Sequence, residues 1–255
     1  MDPLAFISAL ARDAGALLRE MLDRPREIAH KQRQDLVTDA DRASEALILE
    51  RIRAAFPDAA ILGEETGAHA GTGTERFIVD PLDGTTNYAH GYPLFCVSIA
   101  YERSGVVEAG AIYAPVLDRL YAGAPGRGAT CNGAPIAVST VGAVRDAMVC
   151  TGFHPGRFAR NGREFAALSD VAQAVRRDGT AALDLAFVAD GTYEAFWEWD
   201  LRPWDVAAGV AIIEAAGGRA GAIAGGALAL DGGSILASNG AIHDELEALL
   251  GAAIR

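Results

Sequence analysis

Phe77, Ile78 and Val79 form a short, wholly apolar run that ends on Asp80-Pro81-Leu82-Asp83-Gly84-Thr85-Thr86, and no other stretch restricts the fold as much. Such a run reads as a buried strand. Pro81 fixes φ and lacks an N–H, which predicts that the chain turns there and the strand stops. Two carboxylates then stand three residues apart at the mouth of a buried strand. Gly84 and Thr85 follow with free backbone amides where a helix could begin, a geometry that suits an anion. Taken alone, the segment is also what an ordinary surface turn is made of, since Asp, Pro and Gly are the common turn residues.

The rest of the chain must bury that strand. Leu4, Ile7, Leu10, Ala14, Leu17, Leu18 and Met21 recur at helical spacing over 3–22, and Ala46, Leu47, Leu49, Ile52 and Phe56 do so over 41–56. Pro57 and Asp58 stop the second helix. Strands are expected at 59–62, 95–101, 106–113 and 119–122, with a loop at 68–75. Beyond Ala143 come a strand at 148–153, a helix at 161–175, a helix from Asp205 to Gly217, a strand at 230–236 and a helix at 241–250. Helices and strands alternate without a regular βαβ rhythm, which favours a layered α+β arrangement. We expect an N-terminal lobe over 1–142 and a C-terminal lobe over 143–255.

Composition narrows the partners. The 255-residue chain carries 34 Asp and Glu against 22 Lys and Arg, a net charge of −12. Such a surface repels phosphodiester backbones and anionic lipid, so neither nucleic acid nor membrane is an expected partner. An anionic substrate stays possible where bound cations reverse the charge locally. Cys96, Cys131 and Cys150 are unpaired by any CxxC spacing and are expected as reduced thiols, in keeping with a cytoplasmic protein. The N-terminus has acids where a signal peptide carries positive charge.

Acids at other element ends join the Asp80–Asp83 pair. Glu64 and Glu65 follow Ile61-Leu62-Gly63, and Asp205 opens an apolar helix directly after Trp204. Glu65 could be merely solvated, and Asp205 a simple helix cap. Carboxylates packed without cations would repel each other or take up protons. Two or three divalent ions would bring the group near neutrality and could draw a nucleophile from water. The donors are all oxygens, which selects Mg²⁺ over Zn²⁺. His30, His69, His90, His154 and His243 form no HxH or HxxxH pair.

Asp80-Pro81-Leu82-Asp83-Gly84-Thr85-Thr86-Asn87 and Trp204-Asp205-Val206-Ala207-Ala208-Gly209 resemble the two hallmark segments of the inositol monophosphatase family. The segments at 35–41, 63–65 and 179–185 match as well, in order and spacing, so the resemblance runs over nearly the whole chain. It is closest to the bacterial inositol-1-monophosphatases. The resemblance implies a layered αβαβα sandwich, of the type shared with fructose-1,6-bisphosphatase. It implies Mg²⁺ on Glu64, Asp80, the Leu82 carbonyl, Asp83 and Asp205, and a water positioned by Glu64 and Thr85, with Asp41 behind Thr85. Phosphate would meet Gly84 and Thr85, while Asp83, Ala181, Glu198 and Asp205 would face the substrate. Lithium sensitivity and a homodimer are further implications. Lys31, Arg176 and Arg177 are left without an assigned role. The nearest alternatives change the alcohol, to fructose 1,6-bisphosphate, histidinol phosphate or 3′-phosphoadenosine 5′-phosphate. A more distant one is a non-catalytic metal-binding regulator.

Overall fold

The computed structural model describes residues 1–22, 28–32, 35–153 and 158–254. Helix α1 (Pro3–Leu22) is followed by a hairpin of β1 (Ile28–Gln32) and β2 (Asp35–Thr38), then by helix α2 (Asp39–Ala55). Strands β3 (Ala60–Gly63), β4 (Gly67–His69) and β5 (Glu75–Asp83) lead to the short helix α3 (Thr85–Ala89). A meander comes next: β6 (Cys96–Arg103), β7 (Val106–Ala114), β8 (Arg119–Ala124), β9 (Gly128–Cys131) and β10 (Ala134–Ile136). The second half holds β11 (Met148–Thr151), α4 (Phe158–Val171), β12 (Ala174–Arg176), α5 (Ala181–Ala189) and β13 (Ala195–Trp199). It ends with α6 (Pro203–Ala215), β14 (Arg219–Gly221), β15 (Ser234–Ser238) and α7 (His243–Ile254).

These elements stack in five layers. The eight-stranded sheet runs β10-β9-β8-β7-β6-β5-β3-β4, and the five-stranded sheet runs β12-β11-β13-β15-β14. Helices α1 and α2 cover the outer face of the large sheet, α5 and α6 fill the space between the sheets, and α4 and α7 cover the outer face of the small one. The result is an αβαβα sandwich. Each interlayer has its own apolar cluster, around Phe77 and Tyr101, around Leu185 and Ile212, and around Trp197 and Leu246.

Sequence explains why each helix takes its layer. Helix α1 has a single buried stripe, Ile7, Leu10, Ala11, Ala14 and Leu18, as a one-sided covering helix must. Helix α5 is buried at all nine of its residues and α6 at most of its length, because both have a sheet on either side. Small residues let α6 lie close on the large sheet: a Cβ at Gly110 of β7 would overlap the backbone of Ala208.

The structure departs from the sequence expectations at instructive places. Pro81 does not end its strand; β5 continues to Asp83 with an irregularity between Asp80 and Asp83 in its pairing with β6. A bulge tolerates the missing N–H that a regular ladder would need. The expected loop at 68–75 contains the last two residues of β4 and the first residue of β5; three-residue strands are too short for alternation to reveal. The expected helix to residue 175 stops at Val171, and Ala174–Arg176 pairs in parallel with β11 instead. Trp197 and Trp199 pack against the small sheet, and Trp204 packs in the central layer.

Candidate active site

Sheet register builds the site. Strands β3 and β5 run parallel with Gly63 opposite Val79, and the Glu64 N–H donates to the Val79 carbonyl at 3.2 Å. Glu64 and Asp80 therefore leave adjacent strands at the same edge. Asp80 is opposite Ser98 of β6, whose hydroxyl donates to the Trp204 carbonyl at 3.3 Å. That contact brings the N-terminal turn of α6, with Asp205, to the same edge. Four carboxylates distant in sequence thus meet where two strands and a helix end.

Each aspartate of this group is held by hydrogen bonds from the chain. Asp80 Oδ1 accepts from the Leu82 N–H at 3.0 Å. Asp83 Oδ2 accepts from the Thr180 hydroxyl and the Ala182 N–H, both at 2.7 Å. Asp205 Oδ2 accepts from the Arg202 N–H at 2.6 Å. The Asp80 carboxyl also shares a side-chain hydrogen bond with Glu64, and Asp83 draws on the Ala181 amide as well as that of Ala182. Donors from the chain thus fix the orientation of each carboxylate.

Electrostatics agrees. Burial, then the charges of Glu64, Asp83 and Asp205, hold the Asp80 carboxyl well above the usual carboxylate range. Burial, then Asp83, does the same to Asp205. Asp83 is pushed up to about 6 by burial, against the pull of its Thr180 and Ala182 hydrogen bonds. Three carboxyls raised in this way are relieved by protons or by bound cations. A hard divalent cation fits the carboxylate oxygens of Asp80, Asp83 and Asp205, with Glu64 and the Leu82 carbonyl alongside.

Thr85 and Asp41 stand next to this group. The Thr85 hydroxyl is shared between Asp41 Oδ1 at 3.0 Å and the Leu82 carbonyl at 3.1 Å. Asp41 Oδ2 accepts from both the backbone and the hydroxyl of Thr38, so the acid that orients Thr85 also caps α2. Asp41 is fully buried, and burial raises its carboxyl above the ordinary range. Gly84 has φ +91°, and a Cβ there would lie 3.1 Å from the Leu94 carbonyl, so the turn between Asp83 and Thr85 needs glycine.

The substrate-facing candidates lie on the C-terminal half. Glu198 is on β13, 8% exposed, with its carboxyl raised by burial and then by Asp205 and Asp83. A Cβ on Gly152 would overlap the Glu198 carboxylate, so glycine makes the room for it. Ala181 is buried at the start of α5, one residue before the amide bound to Asp83. Arg177 is exposed, stacks 5.0 Å from the Phe153 ring and lowers the Glu198 carboxyl slightly against its burial. Arg176 is exposed and donates to the neighbouring Val175 carbonyl at 3.2 Å. The side chain of Lys31 lies outside the described residues.

Two residues that position Asp83 and Glu198 escape a motif reading. Thr180 precedes α5 where a capping hydroxyl is expected, but it makes no cap and donates to Asp83 instead. Gly152 looks like a strand-end glycine until its neighbour across the sheet is known. A separate acidic group, Cys150, Asp178 and Asp184, brings one possible ligand atom of each within 4.8 Å of the others and shares no residue with the four predicted ligands.

The family model described as "Inositol monophosphatase family" matches residues 2–255. The inositol-1-monophosphatase of a Synechocystis strain is 43% identical over 245 residues, covering 94% of this chain and 85% of that protein. A Pseudomonas aeruginosa protein named Nus factor SuhB is 38% identical, covering 94% of this chain and 92% of its own length. The solved structure of inositol monophosphatase from an Anabaena strain superposes with a TM-score of 0.88 at 43% identity, covering 97% of this chain and 94% of that one. The chain belongs to the inositol monophosphatase family, a family of phosphatases.

Proposed function

We propose that the protein is a Mg²⁺-dependent phosphomonoesterase that hydrolyses a myo-inositol monophosphate to inositol and phosphate. The observation that carries this reading is the set of three aspartates beside Glu64, each oriented by donors from the chain and each raised by burial among its acidic neighbours. Glu64, Asp80, the Leu82 carbonyl, Asp83 and Asp205 would hold two to three Mg²⁺. Bound Mg²⁺ lowers the pKa of water and offsets charge on the phosphate and the departing alcohol.

The chain's own groups then have distinct tasks. The Thr85 hydroxyl donates its proton toward Asp41 and Leu82, so its oxygen is left to accept a hydrogen bond from the attacking water. Glu64 accepts the other. Water adds to phosphorus as the ester P–O bond breaks, and the proton that the water gives up passes through solvent to the leaving alkoxide. The amides of Gly84 and Thr85 receive phosphate oxygens, as the positive φ of Gly84 favours.

Glu198 supports a polyol as the alcohol. A carboxylate in a pocket opened by Gly152 accepts hydrogen bonds from hydroxyls and repels a second phosphate. Asp83 and the region of Ala181 complete that face. Relatives named inositol-1-monophosphatase favour the same alcohol. By the same likeness we propose a cytoplasmic homodimer sensitive to lithium. The chain has no described helix long and apolar enough to cross a membrane.

Phosphate release from inositol 1-phosphate, with and without Mg²⁺, tests the reaction. Parallel assays on fructose 1,6-bisphosphate, histidinol phosphate and 3′-phosphoadenosine 5′-phosphate test the alcohol. Release from none of them at saturating Mg²⁺ would favour a non-catalytic role; preferred release from a bisphosphate would reassign Glu198.

A further inference from the structure

Helix α2 does more than cover the sheet. Asp41, Ser44 and Glu45 lie at positions i, i+3 and i+4, on one face, and all three are buried polar groups. Each grips a different segment that carries the cation ligands. Asp41 holds Thr85. The Ser44 hydroxyl donates to the Pro81 carbonyl at 2.8 Å, within the Asp80–Asp83 bulge. Glu45 Oε1 accepts from the N–H groups of Glu65 and Thr66, at 3.1 and 3.4 Å, in the turn just after Glu64.

The Glu45 contact is the least expected of the three. The carboxylate is 1% exposed, and its second oxygen, Oε2, is buried with no hydrogen-bond partner. An unpartnered oxygen of this kind works against stability. Among the described residues no cation pairs with it. Gly63 is shaped to the same contact: a Cβ there would overlap Glu45 Oε1. The strand that delivers Glu64 therefore leaves room for a carboxylate from the neighbouring helix, and that carboxylate ties the turn beyond Glu64.

We infer that Glu45 is a positioning residue for Glu64: through the amides of Glu65 and Thr66 it fixes the turn that aims the Glu64 carboxylate at the cation group. This inference rests on the reading of Glu64 as a cation ligand. Acceptor capacity at one point, not the full negative charge, is what the two amides need. Glutamine therefore substitutes for Glu45, and leucine does not.

Calorimetric Mg²⁺ titration of the wild type, Glu45→Gln, Glu45→Leu and Ile52→Ala tests this without turnover. Ile52 is buried on the same helix and faces the apolar cluster, so its variant controls for general loss of packing. Mg²⁺ affinity should fall by at least ~10-fold in Glu45→Leu, the lower end of what loss of an outer partner costs. Glu45→Gln and Ile52→Ala should stay within about 3-fold of wild type. Gly63→Ala, which displaces the same carboxylate from the other side, should match Glu45→Leu. In the wild type alone, the Glu65 and Thr66 amides should be protected from hydrogen exchange; unprotected amides overturn the inference even if no leucine variant folds. Equal Mg²⁺ affinity in wild type and Glu45→Leu, or a loss as large in Ile52→Ala, overturns it as well. A wild type that binds no Mg²⁺ overturns the function reading together with it.

Discussion

Two groups of buried acids lie in the C-terminal half's contact zone with the large sheet, and they solve the same electrostatic problem differently. In the first, Glu64, Asp80, Asp83 and Asp205 stand at strand and helix ends, with Glu64, Asp83 and Asp205 only partly buried. In the second, Cys150 and Asp184 are enclosed in the core beside the half-buried Asp178. Burial raises the carboxyls of Asp80, Asp83, Asp205 and Asp184 alike. What separates the groups is what surrounds them. Asp178 accepts from the Tyr193 hydroxyl at 2.5 Å, the Cys150 thiol is pushed far up by burial, and Asp184 Oδ1 is sealed without a partner. A proton can neutralise Asp184 where it stands. Donors from the chain orient the aspartates of the first group, and Glu64, Asp83 and Asp205 are partly exposed, so a cation can do what a proton does in the core. Raised carboxyls alone do not mark a site; oriented carboxylates that solvent can reach do.

The sharpest way to break this comparison is Asp83→Asn, which keeps the shape and removes one ligand oxygen. Phosphate release at saturating inositol 1-phosphate should fall by more than ~100-fold, beyond the usual cost of losing an outer partner. A rate near that of wild type would remove Asp83 from the cation group. Thr180→Val should act more mildly. It deletes one donor to Asp83 and should weaken Mg²⁺ half-saturation by roughly 10–100-fold, with Thr180→Ser restoring it. If Thr180→Val loses stability and leaves Mg²⁺ dependence unchanged, Thr180 is a packing residue only.

Stability against pH separates the groups further. Asp80, Asp83, Asp205 and Asp184 have folded-state pKa values above their unfolded ones, so the folded chain binds more protons. The stability they contribute is present at low pH and is lost as pH rises from about 4 through 6 and beyond. Without divalent cation, Tm should therefore fall over that range on this account. Added Mg²⁺ should raise Tm more at pH 8 than at pH 5, and at 100 times its Kd by an amount equivalent to about 2.7 kcal/mol. An equal Mg²⁺ effect at both pH values would contradict the assignment of these carboxyls to a cation site. The smallest expected effect is that of Asp184→Asn, which replaces a neutral buried acid by an amide of the same shape. Activity should stay within a few-fold, and unfolding free energy should change by no more than about 1 kcal/mol.

Much of the first group was legible in the sequence, and the second was not. Asp80, Asp83 and Asp205 announce themselves because each follows or opens an apolar element whose end must be at the surface of a layer. The five-layer order was implied by the family resemblance, whereas the element pattern alone favoured only a layered α+β arrangement. What stayed hidden depends on contacts across the fold. Thr180 has the local signature of a helix cap, and only the approach of α5 to the β5 bulge gives its hydroxyl a different partner. Pro81 reads as a strand breaker because its missing donor is visible in sequence, whereas the bulge that accommodates it is not. Glu45 is one charged residue in a helix rich in them, and nothing local distinguishes it from the solvated Glu50. Gly152 and Gly63 matter for the atoms that face them, Glu198 and Glu45, which sequence spacing does not reveal.

The most direct test is Mg²⁺ uptake at pH 7.5 by wild type, Asp80→Asn and Asp184→Asn, followed by titration calorimetry. The account predicts two to three bound Mg²⁺ in wild type and in Asp184→Asn, and loss of at least one of them in Asp80→Asn. Unchanged uptake in Asp80→Asn, or its loss in Asp184→Asn, would contradict it.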